Sequence, residues 1–190
     1  MNLEPKDIIQ IILTIISIIV AIRIPVRISW NQRYDNMTGV YQSTEFASAM
    51  QNVISFYYHV CDCDVNRIHG EYKKIFLKDF PDYNSLNFNG DSSQVLHYQR
   101  RFLVEFFCEM DICARHSRSL RKLIQKEYTE REANLIKILM YMDKALDNDS
   151  DMFMNIKSIS NEHFGRAKGI NAYLSHLASL LKDTGKQMKF

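Results

Sequence analysis

The chain has few of the residues that build turns, with only six glycines and three prolines among its 190 residues. A β-sandwich or β-barrel needs such residues between its many short strands. No long stretch alternates apolar and polar residues, and no internal repeat is present. Apolar residues instead recur at helical spacing, so we expect an all-α protein.

Motifs of known catalytic chemistry are also missing. The sequence has no G-x-S-x-G, Walker A or dinucleotide-binding glycine pattern. Helical nucleases of bacterial defence have an arginine followed four to six residues later by a histidine, and this pair does not occur here. The sequence therefore predicts no enzyme, no catalytic residue and no cofactor.

Net charge is nearly absent, at +2. Without a strong overall charge, nothing attracts nucleic acid to the chain as a whole, so we expect no DNA partner and look for anion sites only locally. Hydrophobic and aromatic residues make up 46% and 12% of the chain, which is typical of a folded domain rather than of a disordered tail.

Two segments begin like metal sites without completing one. The segment HVCDCD at 59–64 lacks the paired C-x₂₋₄-C spacing that supplies four zinc ligands. The segment DNDSD at 147–151 begins like a calcium loop, but Met152 occupies the glycine position and Ser158 the position of the bidentate glutamate. We expect no metal at either place, and an acidic loop at the second.

One long hydrophobic run is present. Residues 8–22 carry no charge and are followed by Arg23 and Arg27 and by Trp30, which suits a membrane–water interface. A secretion signal would show a basic start and a small-residue cleavage site. A buried core helix would show more of a polar stripe than the few polar residues of this run. The sequence predicts a transmembrane helix with a basic inner flank over residues 1–30, in contact with the lipid bilayer.

The flanking charge sets the expected orientation. Arg23, Arg27 and Arg33 all follow the run, so the N-terminus should be outside and the remainder of the chain cytosolic. On that side of the membrane four cysteines are most simply free thiols. We further expect a bend at Pro25, which removes a helical hydrogen bond, and a juxtamembrane hinge over 31–43.

Four polar or small residues share one face of the run. Gln10, Thr14, Ser17 and Ala21 are spaced by four, three and four residues, which predicts a seam for self-association into a homo-oligomer. Two alternatives stay open: the hydroxyls bond only to their own helix, or the face lines a pore.

The rest of the chain, residues 44–190, is predicted to form a cytosolic antiparallel helical bundle. Ser43 or Thr44 is expected to cap its first helix. Capping boxes are expected at Asp91 with Gln94 and at Thr129 with Glu132. An apolar patch at 152–159 follows the acidic loop.

A basic cluster supplies the candidate ligand site. Arg115, Arg118, Lys122 and Lys126 are spaced by three, four and four residues, which predicts one continuous stripe on a helix. This stretch either continues the preceding helix or forms a short separate one. Such a stripe binds phosphates through charge-assisted hydrogen bonds, pairs with nearby glutamates, or is simply solvated.

The order of these parts resembles a group of bacterial proteins with one N-terminal span, a basic inner flank and a small helical domain. Residues 101–107 (RFLVEFF) and 112–115 (ICAR) are similar to the long central helix of uncharacterised families linked to abortive infection. The organisation also resembles small membrane effectors of CRISPR signalling, which bind a cyclic oligoadenylate and perturb the membrane. The resemblance implies location in the bacterial inner membrane.

Two functions are therefore expected. The first is a non-enzymatic, oligomeric membrane effector in bacterial antiviral defence. Its cytosolic domain would sense a signal, such as a cyclic oligonucleotide or a defence-system protein, and its span would perturb or gate the membrane. The second is a constitutive membrane anchor whose domain docks a partner protein through the apolar patch at 152–159.

Overall fold

The structure, a computed structural model, describes residues 5–79, 95–147 and 167–182. Within these ranges it is all-helical and has no strand, as the sequence predicts. The described residues form seven α-helices: α1 (Pro5–Tyr41), α2 (Thr44–Ser55), α3 (Val65–Asp79), α4 (Leu96–His116), α5 (Arg118–Glu127), α6 (Glu130–Asp147) and α7 (Ala167–Lys182). A short π-helical segment, Phe56–Val60, continues α2.

Helix α1 divides into an apolar half, Ile8 to Ile28, and a docked half, residues 29–41, part of which is buried against the other helices. Every isoleucine, leucine and valine from Ile8 to Ile28 is exposed. At 1.5 Å per residue this stretch is about 30 Å long, close to the thickness of the hydrocarbon core of a bilayer. It makes α1 the one described helix that is long and apolar enough to cross a membrane. The helix is continuous past Pro25, and the expected bend there stays a prediction.

The expected hinge at 31–43 is wrong. Helix α1 continues to Tyr41, and Tyr34 and Met37 within it are buried in the core at 5% exposure each. Only Gln42 and Ser43 separate α1 from α2. The polar residues of this segment lie on the outer face of a helix whose other face is packed, so polarity here marks an amphipathic helix rather than a flexible joint.

Helix α4 is the centre of the packing. It contacts α1, α2, α5, α6 and α7, while α6 packs in turn against α3 and α7. The largest fully buried side chains come from α2, α3, α4, α5 and α6: Phe46, Ile68, Tyr72, Phe76, Leu103, Phe107, Met110, Ile124, Leu135, Ile136, Leu139 and Met142. A single hydrophobic core therefore joins the docked half of α1 to the other helices.

Two of the expected helix caps are confirmed. The Ser43 hydroxyl accepts a hydrogen bond from the Phe46 amide at 3.1 Å. The Glu132 carboxylate accepts one from the Thr129 amide at 2.8 Å, as a capping box requires. Gln94 and its partner three residues earlier lie outside the described residues, and α4 begins only at Leu96.

A buried polar cluster ties the start of α4 to α3 and α6. The Tyr72 hydroxyl lies 2.9 Å from Nδ1 of His97, and Arg100 forms an ion pair of 2.8 Å with Asp143. Burial lowers the pKa of His97 well below its usual value, with Arg100 acting in the same direction. The ring of Phe76 lies 4.9 Å from that of His97, which places the end of α3 beside the start of α4.

Candidate functional site

The basic cluster is divided between two helices. Ser117 has an extended backbone (φ −136°, ψ 117°), and its hydroxyl accepts a hydrogen bond from the Leu120 amide at 3.3 Å. Helix α4 therefore ends before Ser117 and α5 begins after it. Arg115 belongs to α4, so the predicted continuous stripe that includes it is wrong. Serine is a favoured N-cap residue, and its presence inside the stripe was the available sign of a break.

Arg115 holds α4 against α7. Its Nε lies 2.5 Å from Oδ2 of Asp111, one turn earlier on α4. Its guanidinium carbon lies 4.8 Å from the ring centroid of Tyr173, a cation–π distance. Both contacts are made within the protein, and the contact with Tyr173 joins α4 to α7.

Asp111 is the shared partner of this junction. It is fully buried, and its second oxygen lies 2.5 Å from Nδ1 of His176 on α7. A carboxylate removed from water needs charged or polar partners. Asp111 has one charged partner, Arg115, and one polar partner, His176. The pairing of Asp111 with His176 joins residues 65 positions apart and leaves no local pattern in the sequence.

His176 extends the junction to α5. Its Nε2 lies 3.3 Å from Nη2 of Arg121. Because arginine only donates hydrogen bonds, Nε2 is the acceptor, and the ring proton is assigned to Nδ1, which faces Asp111. The four residues Asp111, Arg115, Arg121 and His176, here called the polar junction, thus fix α4, α5 and α7 to one another.

The rest of the basic cluster is open to solvent. Arg118, Lys122 and Lys126 are exposed and lie four residues apart on one face of α5. In the part of the chain that the structure describes, none of the three has an ion-pair partner. The opposite face of α5 is held in the core by Leu120 and Ile124. These three residues, here called the α5 basic face, can bind phosphate oxygens.

The docked half of α1 meets α4 through an aromatic stack and an ion pair. The Trp30 ring stacks on that of His116, with centroids 4.4 Å apart and planes at 14°. Nε of Arg33 lies 2.6 Å from the Glu109 carboxylate. Arg33 also lies 5.3 Å from the Trp30 ring, so the two contacts form one group.

Two tyrosines extend this docking to α5 and α6. The Tyr34 hydroxyl donates to Glu127, and the Tyr41 hydroxyl donates to Glu132 at 3.0 Å. Burial and the Glu127 bond raise the pKa of Tyr34, while burial and the Glu132 charge raise that of Tyr41 to about 12. Both phenols therefore stay protonated and act as donors near neutral pH.

The contacts fix the direction of α4 relative to α1. Trp30 lies against His116, and Tyr41, further along α1, lies 5.9 Å from Phe106, which comes earlier on α4. The two helices are therefore antiparallel. The C-terminal end of α4 points toward the apolar half of α1, and the turn into α5 lies level with Trp30.

The predicted seam on α1 lies on the exposed half of the helix. Gln10, Thr14, Ser17 and Ala21 are all exposed. The Thr14 hydroxyl donates to the Gln10 carbonyl at 2.8 Å, which is the intrahelical bond that the sequence left open. The hydroxyl oxygen keeps its capacity to accept a bond from a second helix, and the seam stays a prediction.

The cysteine segment is organised around one buried thiol. Cys61 is buried, whereas His59 and Cys63 are exposed. All four cysteines of the chain are free, and burial raises the pKa of Cys61 to about 11. No three His, Cys, Asp or Glu side chains are placed to hold a metal ion within the ranges that the structure describes.

Residues 148–151 of the acidic loop and the patch at 152–159 lie outside those ranges.

Comparison of the chain with protein-family models, with curated proteins and with solved structures finds no match.

Proposed function

We propose that the chain is a single-pass membrane protein whose helical domain is joined to the span without a flexible linker. The observation that carries this proposal is the continuity of α1, whose exposed apolar half continues directly into a half buried against α4. An exposed apolar surface of this size is costly in water and is typical of contact with lipid or protein. Arg23 and Arg27, both exposed, favour a cytosolic domain.

We further propose that the protein is a non-enzymatic, oligomeric effector in antiviral defence, the function that its resemblance implies. Rigid attachment supports this proposal, because a change in the domain then moves the span directly. The seam on α1 supplies the self-association, and the α5 basic face gives the domain a positively charged surface. The same attachment also suits a constitutive anchor, which would need no response from the span.

The first experiment tests insertion and self-association together. The full chain, with Cys63→Ser to remove the exposed thiol, should stay in the membrane fraction of bacterial cells after alkaline extraction. In those membranes Ser17→Cys should form disulfide-linked dimers on mild oxidation. Ile19→Cys, which lies on the opposite face of α1, is the matched control and should form far fewer.

A measurement of membrane integrity then distinguishes the effector function from the anchor function. If the protein is an effector, cells that express it and contain its signal should take up a dye that intact cells exclude. Gln10→Leu combined with Thr14→Leu should abolish both the dye entry and the cross-link. Extraction of the chain by alkali would contradict the membrane assignment. Insertion without cross-links or dye entry would favour the anchor.

A further inference from the structure

The start of α5 lies at the edge of the apolar half of α1. Trp30 follows Ile28, the last exposed apolar residue of that half, by two residues, or about 3 Å along the helix. Its ring stacks on His116, which precedes Ser117 and α5. If α1 crosses a bilayer, the α4–α5 turn lies at the lipid headgroups on the side where α1 leaves the membrane.

The far end of α5 remains near the same level. Glu127, its last residue, accepts a hydrogen bond from Tyr34, one helical turn beyond Trp30 on α1. One turn of α1 is about 5.4 Å, whereas ten residues of α5 extend about 15 Å. Helix α5 is therefore inclined to α1 rather than parallel to it, and it does not run straight away from the headgroup level.

Cationic side chains on α5 are not neutralised at this level. Arg118, Lys122 and Lys126 are exposed and have no ion-pair partner among the described residues. Two carboxylates of α4 and α5 are engaged with α1, Glu109 with Arg33 and Glu127 with Tyr34. The α5 basic face thus adds an uncompensated positive surface beside the point where α1 leaves the apolar region.

We propose that the α5 basic face binds the phosphate headgroups of anionic lipids in the leaflet from which α1 emerges. This inference rests on the proposed membrane span. A face of three cations on an open helix suits a flat array of phosphates, whereas nucleotide sites are concave and also enclose the base. Attraction to an anionic surface falls off within a Debye length, about 8 Å at physiological salt, so Arg118, nearest the α4–α5 turn, contributes most.

Lysine acetylation measured by mass spectrometry tests this contact in the full chain. The protein is placed in nanodiscs of neutral phosphatidylcholine, and in nanodiscs that also contain anionic phosphatidylglycerol. We expect the acetylation rates of Lys122 and Lys126 to fall several-fold in the anionic discs and to recover at high salt. Lys74 and Lys78 on α3 are internal controls, because Phe76 beside them packs at the opposite end of α4.

Variants and soluble ligands separate the outcomes. Arg118→Glu should restore most of the acetylation of Lys122 in anionic discs, whereas Lys78→Glu should not. Equal rates for Lys122 in both discs, with the protein inserted, would overturn the lipid contact alone. Protection in neutral discs by a linear or cyclic adenine nucleotide, without protection by anionic lipid, would overturn it in favour of a nucleotide site. Failure to enter either disc would overturn the membrane span itself, and the lipid contact with it.

Discussion

A fragment that begins at Thr38 should be far less stable than one that begins at Ser29. The shorter fragment lacks Tyr34 and Met37, which are buried in the core, and it also lacks Trp30. Loss of one large buried side chain costs about 2–5 kcal/mol, so loss of the first two should cost at least about 4 kcal/mol. Since a domain is stable by only about 5–15 kcal/mol, the shorter fragment should be largely unfolded or close to it.

Urea unfolding of fragments 29–190 and 38–190, followed by circular dichroism, measures this difference. Trp30 is the only tryptophan of the chain, so its fluorescence gives a second signal in the longer fragment. Within that fragment Tyr34→Ala should cost about 3–5 kcal/mol. Asn36→Ala, on the exposed face of the same helix, is the control and should change the free energy of unfolding by less than about 0.5 kcal/mol. Equal stability of the two fragments would show that α1 is not part of the core.

Replacement of Asp111 should give the largest loss of stability from a single polar side chain. Asp111 is fully buried and is the common partner of Arg115 and His176. Asp111→Ala leaves both without their carboxylate, and breaking a buried pair in this way costs about 3–5 kcal/mol. Because Arg115 and His176 are 42% and 32% exposed and can regain water, we expect a loss near the lower limit of that range.

A double-mutant cycle identifies the cause of this loss. Arg115→Met should reduce the additional cost of Asp111→Ala, with a coupling of about 0.5–3 kcal/mol between the two changes. Glu105→Gln is the matched control. Its ion pair with Arg101 also joins residues four positions apart, but both side chains are more than one third exposed, so this change should cost less than about 1 kcal/mol. Additive effects of Asp111→Ala and Arg115→Met would mean that the carboxylate stabilises the fold in another way.

The features that the sequence predicted correctly depend on neighbours along the chain. The apolar half of α1, the Ser43 cap and the Thr129–Glu132 capping box each follow from residues within one or two helical turns. Such local patterns are sufficient to establish an all-α fold. They do not fix how the helices are arranged in space, because that depends on which apolar faces meet.

The docked half of α1 could have been recognised from the same kind of pattern. Trp30, Tyr34, Met37 and Tyr41 are spaced by four, three and four residues, a helical stripe of large side chains. The polar residues between them are typical of a linker, and the predicted hinge over 31–43 rests on them. The spacing of these four residues, rather than the polarity of the segment, predicts what the structure shows.

The candidate site could be predicted only in part. The predicted basic stripe is a local pattern, and three of its four members, which form the α5 basic face, share one helix. Arg115 was assigned to the same stripe because the sequence does not reveal where a helix is interrupted unless the capping residue, Ser117, is recognised. The partner of Asp111 on α7 lies too far along the chain for any spacing rule to find.

Amide hydrogen exchange over residues 31–41 of the full chain, in neutral nanodiscs, tests the central claim most directly. These residues follow the apolar half of α1, so lipid does not protect them. If α1 is one helix that joins the span to the core, their amides should exchange as slowly as those of α4. Exchange as fast as in an unstructured linker would contradict the account.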